Sequence, residues 1–139
     1  MTQTLSQADA AELITFSYGR SIAKPTFFDD FYNRFTSQSP DIRDMFKNTD
    51  MTAQKQALRS GISFLTQFAK GSAYAEQKMD ALGKSHSRSE INVAPSLYPL
   101  WVSALIKTLA QHDPEWDSEL EKRWRETLQK GIDRITSKY

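Results

Sequence analysis

Apolar residues recur at steps of three and four along most of this chain, and strict alternation of apolar and polar residues is nearly absent. Two segments show the spacing most clearly: Leu97, Trp101, Leu105 and Leu109, and then Trp116, Leu120, Trp124 and Leu128. Such spacing places the apolar side chains on one face of an α-helix. The sequence therefore predicts an all-α fold of about six to eight helices. Several helices are short and their connections differ, unlike those of a plain four-helix bundle.

Residues that start or end helices divide the first half of the chain into four predicted helices. Ser6 is a candidate N-cap of the first, and Pro25 suits the first turn of the second. The aromatic residues of this second helix share one broad face: Phe27, Phe28, Phe31, Tyr32 and Phe35. Pro40 restarts the chain in a short helix. The stretch "NTD" at 48–50 resembles a cap before a long helix, which Gly71 ends.

The second half of the chain contains three further predicted helices. A weaker one covers about 72–86, and the next runs from its opening proline over about 95–111. Asp113 and Pro114 indicate the N-cap and first position of the last helix. His112, just before them, is predicted at an exposed helix corner. The tryptophans have spacings that serve helix packing, which predicts core positions for Trp101, Trp116 and Trp124.

Length, charge and composition exclude several classes of function. The 139 residues predict a single domain, 1–139, because a chain of this length buries most of its apolar surface. The net charge of +1 gives no electrostatic footprint for nucleic acid or for an anionic membrane surface. Without cysteine there is no disulfide, thiolate metal site or thioether-linked cofactor. With neither a signal-peptide pattern nor an apolar run long enough to cross a membrane, a cytoplasmic protein is expected.

His86 is one of only two histidines, and it ends the predicted helix four residues after Leu82. A lone histidine in such a position is most often a buried or capping residue. One imidazole is a poor basis for structural zinc, which takes about four protein ligands. It is sufficient for haem, because the porphyrin supplies four nitrogens to the iron. From the residues alone, both the structural role and the haem ligand stay open.

Four stretches occur in the order and spacing of one family: "FYNRFTSQSPDIRDMF" (31–46), "LGKSH" (82–86), "APSLYPLWVSALIKTL" (94–109) and "DPEWDSELEKRWRETL" (113–128). With these stretches the chain resembles the globins over nearly its whole length. It is most similar to bacterial single-domain globins and to the haem domain of flavohaemoglobins. The resemblance implies the globin fold, a three-on-three helical sandwich around a haem.

The resemblance also assigns roles on the proximal side. His86 falls on the axial ligand of the haem iron, which implies haem b, iron protoporphyrin IX, as the cofactor. The other ring nitrogen of this histidine needs an acceptor, and the Leu82 carbonyl and the Ser85 hydroxyl are both within reach. Phe46 falls on the aromatic that stacks against the porphyrin. The residues implied to contact the cofactor are Phe46, Leu58, Leu82, Ser85, Ile91, Val93 and Tyr98.

On the opposite, distal side the resemblance implies Tyr32 and Gln54 as the residues that meet a bound gas. Tyr32 lies 14 residues before Phe46, and Gln54 lies 32 residues before His86, as in the family. The loop before Gln54 is shorter than in flavohaemoglobins, so Lys55 is an alternative for the distal position.

Tyr98 corresponds to a tyrosine that in flavohaemoglobins acts as a pair with a glutamate of the last helix. That pair polarises the proximal histidine. The matching stretch of this chain reads "DRITSKY" and contains no glutamate. We therefore expect only weak polarisation of the proximal histidine from this direction.

The resemblance implies a haem protein that reversibly binds O2, CO and NO, with two distal donors that favour tight O2 binding. One alternative is a nitric oxide dioxygenase, or a weak peroxidase, that relies on a separate reductase. Another is a gas sensor that acts through a partner, and a fourth possibility is a haem-free helical interaction protein. The sequence leaves open whether the protein is a monomer or a homodimer.

Overall fold

The computed structural model describes residues 7–139, with their side chains from Ala10 onward. Within this range the regular elements are seven α-helices and one 3₁₀-helix, with no strand. In chain order they are α1 (Gln7–Ser21), α2 (Phe27–Thr36), α3 (Pro40–Met45), α4 (Met51–Ala69), α5 (Ala73–Ser85), the 3₁₀-helix (Pro95–Leu97), α6 (Tyr98–His112) and α7 (Ser118–Thr136). The predicted all-α fold is confirmed. The predicted cap at Ser6 lies outside the described residues.

Local capping signals fix most helix ends where the sequence predicts them. The Asp50 carboxylate accepts hydrogen bonds from the backbone N–H groups of Thr52 and Ala53 at the start of α4. These bonds satisfy donors that have no partner within the helix. After the end of α4, Gly71 adopts φ +88°, a left-handed conformation that glycine reaches without strain. Pro40 occupies the first turn of α3, as predicted.

Three α-helices begin later than the sequence predicts. α6 begins at Tyr98, because residues Pro95–Leu97 form a 3₁₀-helix. α2 begins at Phe27 rather than Pro25, because Lys24 to Phe27 form a turn closed by a 3.3 Å backbone hydrogen bond. α7 begins at Ser118, where Asp117 caps it by accepting from the Leu120 N–H at 2.7 Å. The predicted cap at Asp113 and Pro114 is therefore wrong.

Asp113 does not cap α7 because its carboxylate has other partners. The side chain is fully buried and accepts from the Arg20 guanidinium at 2.7 and 3.0 Å. It also accepts from the Ser17 hydroxyl at 2.6 Å and from the Glu115 N–H at 2.9 Å. The indole N–H of Trp124 in turn donates to Ser17 Oγ at 3.0 Å. This network joins α1, the connection after α6, and α7.

The helices pack in two layers, with α1, α4 and α5 across α2, α6 and α7. One apolar core fills the space between the layers, and fully buried side chains such as Phe27, Ile62, Leu105 and Trp124 form its centre. Trp101 and Trp116 pack against that core while remaining partly exposed. None of the described helices is long and apolar enough to cross a membrane.

His112 is buried, with only 8% of its surface exposed, so its predicted position at an exposed corner is wrong. Its Nε2 lies 2.6 Å from the Asp30 carboxylate of α2. Its ring also meets Phe27 edge-on, with centroids 5.5 Å apart. A partner for the ring nitrogen is what makes burial of this imidazole tolerable.

Gly131 of α7 packs closely against the Leu65 side chain of α4. A Cβ atom added there would lie 1.8 Å from Leu65 Cδ2, so Leu65 or a helix would have to move. We expect Gly131→Ala to reduce the free energy of unfolding by about 1–2 kcal/mol, because overpacking outweighs the gain in helix propensity.

Urea unfolding of the purified protein measures this loss. Gly19→Ala is the matched control, since a Cβ at this helical glycine would meet no atom within 4 Å. That control is expected to leave stability unchanged or raise it. Equal stability of the two variants would contradict the close approach at Gly131.

Candidate functional site

A cavity lies between the two layers and is partly open to solvent; its empty space, with the open mouth included, is about 960 Å³. Residues of every helix except α1 line it, and most of its wall is apolar. The residues with side-chain nitrogen or oxygen atoms in this wall are Tyr32, Gln54, His86, Tyr98 and Trp101. A large apolar cavity with a few converging polar groups is the usual form of a small-molecule or cofactor site.

His86 lies at the end of α5, where its backbone N–H donates to Leu82 O at 2.9 Å. Its ring Nδ1 lies 2.8 Å from the same carbonyl and 3.0 Å from Ser85 Oγ. A carbonyl only accepts, so Nδ1 carries the hydrogen. Both contacts are made by Nδ1, and no hydrogen bond within the described residues uses Nε2. The imidazole therefore presents a free lone pair on Nε2.

The surroundings of His86 favour the neutral ring. Burial lowers the pKa of this imidazole, and the hydrogen bond to the Leu82 carbonyl offsets part of that effect. The Ser85 hydroxyl donates to Leu82 O at 3.0 Å, so this carbonyl receives both side chains. Neutral imidazole is the form that binds a metal ion.

Tyr32 and Gln54 meet at another part of the same cavity wall. Gln54 Nε2 donates to Tyr32 Oη at 3.0 Å, and the Tyr32 ring packs edge-on against Phe46 at a centroid distance of 5.5 Å. The Tyr32 hydroxyl has a long contact of 3.5 Å to the Gln54 carbonyl. Such a bond is weak, so the hydroxyl hydrogen is largely uncommitted. Burial raises the pKa of Tyr32 to about 12, and the hydroxyl stays protonated at neutral pH.

Gln54 rather than Lys55 faces the cavity. The two residues are neighbours on α4, and the Lys55 ammonium forms an ion pair with Asp29 of α2. Lys55 is not part of the cavity wall, whereas Gln54 is. The opposite charge on α2 thus holds the rival side chain away from the cavity.

The structure brings most of the remaining predicted residues together around the cavity. Those in its wall are Phe46, Leu58, Leu82, Val93 and Tyr98. Ser85 lies behind His86 and contacts it through Nδ1. Ile91 lies outside the wall, with 65% of its surface exposed. The backbone forms a turn there, in which Asn92 has φ +59° and its N–H donates to Ser87 O at 2.8 Å.

The sequence did not predict several of the wall residues as site residues, among them Gly61, Ile62, Leu97, Trp101 and Ile132. Trp101 was predicted as core from its helical spacing, and it packs on the core as well as lining the cavity. Helical spacing shows which face is buried, but it does not separate the wall of a cavity from the core.

The donor set fits haem better than it fits a bare metal ion. Among the side chains that the structure describes, from Ala10 onward, no group of three or more His, Cys, Asp or Glu residues could hold a metal ion. A single imidazole with a free Nε2 in an apolar cavity suits a metal that brings its own four nitrogens. Gly61 also lines the cavity, and a Cβ added there would meet no atom within 4 Å, so the wall is open at this point.

Two helical layers that enclose an apolar cavity with one free imidazole are characteristic of all-α proteins that bind a cofactor within the helical core. The Globin family model matches residues 29–135, and the chain belongs to the globins, a family that implies a haem cofactor. A crystal structure of a Pseudomonas aeruginosa protein, described as structurally highly homologous to a human haemoglobin, is similar to it at 46% identity. The likeness covers 94% of this chain and 98% of the other, with a TM-score of 0.90. No curated protein matched the chain.

Proposed function

We propose that residues 1–139 form one globin domain that holds haem b through His86 and binds the diatomic gases O2, CO and NO. The observation that carries this proposal is the orientation of His86. Its Nδ1 hydrogen bond to Leu82 O leaves Nε2 as the free nitrogen in the cavity wall. The absence of cysteine favours a non-covalent haem b, since no thioether link can form.

His86 would hold the haem iron through Nε2, and the bound haem would supply the metal that binds the diatomic gas. On the proximal face the Leu82 carbonyl and the Ser85 hydroxyl hold the imidazole in one tautomer. An acceptor at Nδ1 also raises the donor strength of Nε2. The wall of the cavity around it, which includes Leu82 and Val93, is mostly apolar.

On the distal face, Tyr32 and Gln54 provide hydrogen-bond donors for a gas that carries partial negative charge. Gln54 Nε2 donates to Tyr32 Oη and thereby orients the hydroxyl. That hydroxyl can donate to the gas, because its only other contact is the long one to the Gln54 carbonyl. Donors fixed in a dry pocket stabilise such charge without reorganisation.

Absorption spectra of the purified protein, loaded with hemin, test the proposal. We expect a Soret band and distinct spectra in the oxidised, reduced and carbon-monoxide-bound states. The reduced protein should bind carbon monoxide reversibly and in a one-to-one ratio with haem. A protein that takes up no hemin, or whose spectrum does not respond to carbon monoxide, would end the proposal.

Tyr32→Phe is expected to speed O2 release by about tenfold, because it removes a hydrogen bond worth roughly 1–1.5 kcal/mol and each 1.4 kcal/mol is tenfold. Stopped-flow release of O2 into a carbon monoxide solution measures the rate. Tyr74→Phe removes an exposed tyrosine hydroxyl from α5 and is the matched control. Equal rates for wild type and Tyr32→Phe would remove Tyr32 from the distal site.

A further inference from the structure

Three of the five glycines have a local structural reason. Gly71 has the positive φ of a helix C-terminus. A Cβ at Gly83 would lie 2.6 Å from Lys138 Cγ, and one at Gly131 would lie 1.8 Å from Leu65 Cδ2. At Gly19 and Gly61, by contrast, a Cβ would meet nothing within 4 Å. Neither backbone conformation nor contact between helices accounts for these two.

Gly61 lies in the middle of α4, where glycine weakens a helix by about 1 kcal/mol relative to alanine. It is on the face of α4 that lines the cavity, seven residues after Gln54 and three after Leu58. Gly19, near the end of α1, is exposed and has no part in the cavity. The open space at Gly61 is therefore space in the cavity wall.

We infer that Gly61 is a tetrapyrrole-binding residue, whose missing side chain leaves room for the macrocycle to lie against the α4 backbone. This inference rests on the proposed function. Glycine is the residue that permits such close approach of a ligand to the backbone. A larger side chain at this position would take up volume that the macrocycle needs, whereas its Cβ would meet no protein atom within 4 Å.

Four variants separate binding from folding: Gly61→Ala, Gly61→Leu, Gly19→Ala and Gly19→Leu. Urea unfolding of the cofactor-free proteins should show none less stable than wild type. For the alanine variants the equilibrium constant for unfolding should be unchanged or lower, by up to about fivefold. Fluorescence titration with hemin and with metal-free protoporphyrin IX measures binding, and transfer of hemin to an excess of acceptor protein measures its release.

We expect Gly61→Leu to weaken the binding of both tetrapyrroles, and to speed hemin release, by about ten- to a hundredfold, the cost of overpacking. Gly61→Ala should show a smaller effect in the same direction. The two Gly19 variants should bind like wild type. The response of metal-free protoporphyrin separates an effect on the macrocycle from an effect on the iron ligand.

Equal binding of hemin by wild type and Gly61→Leu would overturn the inference and leave the proposed function intact. Failure of wild type to bind hemin would overturn the proposed function itself. Equal weakening by Gly19→Leu and Gly61→Leu would also overturn the inference, because the effect would then belong to the helix and not to the cavity wall.

Discussion

His86→Ala is expected to remove the axial ligand and speed the loss of hemin by at least about 100-fold. Outer partners of a metal ligand are already worth 10- to 100-fold in affinity, so the ligand itself is worth more. Among the described residues His86 is the only histidine in the cavity wall, and His112, the other histidine of the chain, faces Asp30. The rate of hemin transfer to an excess of acceptor protein measures the effect.

Two controls sharpen this experiment. Free imidazole added to His86→Ala should restore much of the wild-type spectrum, because the space left by the side chain accepts a ring of the same size. His112→Gln removes the other histidine and should retain the pigment, since that ring faces Asp30 and not the cavity. Unchanged hemin retention and ligand spectra in His86→Ala would show that the proposed ligand is wrong.

Asp113→Ala is expected to reduce the free energy of unfolding by about 3 kcal/mol, which is the low end for breaking a buried ion pair. The Asp113 side chain is fully buried, and the change would leave the Ser17 hydroxyl without its acceptor. Arg20 would keep only the exposed Glu115 carboxylate, 3.3 Å from its Nε. Urea unfolding at neutral pH measures the loss. Asp80, which pairs with Arg134 on the surface, is the matched control, and Asp80→Ala should change stability little because solvent screens that pair.

The same carboxylate predicts an acid dependence of stability. Burial alone would raise the pKa of Asp113, but hydrogen bonds from Arg20, Ser17 and the Glu115 N–H outweigh it and hold the pKa below its usual range. With a folded pKa below the unfolded value of about 3.9, the stabilisation is complete above that pH. It is lost as the pH falls from about 4 through the folded pKa. Asp113→Asn should lack this share of the acid destabilisation, and equal acid profiles for the two proteins would contradict the assignment.

Local signals in the sequence were enough where a helix end depends on neighbouring residues alone. Asp50 caps α4 and Gly71 ends it, as predicted, because each acts on backbone groups within a few residues. Asp113 is also followed by a proline, as an N-cap residue often is, but its carboxylate accepts hydrogen bonds from Ser17 and Arg20, more than 90 residues earlier. Contacts of that range leave no mark in local periodicity.

The two histidines show the same limit for the site. The resemblance picked out His86, and the structure places it in the cavity wall with the Leu82 carbonyl as the expected acceptor. His112 was misjudged because its partner, Asp30, lies 82 residues away. The choice between Gln54 and Lys55 likewise depends on Asp29, a charge on another helix. The separate reductase, the oligomeric state and the cytoplasmic location stay predictions.

The hydrogen bond between His86 Nδ1 and Leu82 O reduces the entropy that the protein would lose on binding a cofactor. Because α5 itself fixes the ring, its rotational freedom is lost when the helix folds and not when iron arrives. A nitrogen that is already ordered costs less conformational entropy on binding than a mobile one, so it binds with higher affinity. The nitrogen that we propose as the iron ligand therefore has one orientation and one tautomer before any cofactor binds.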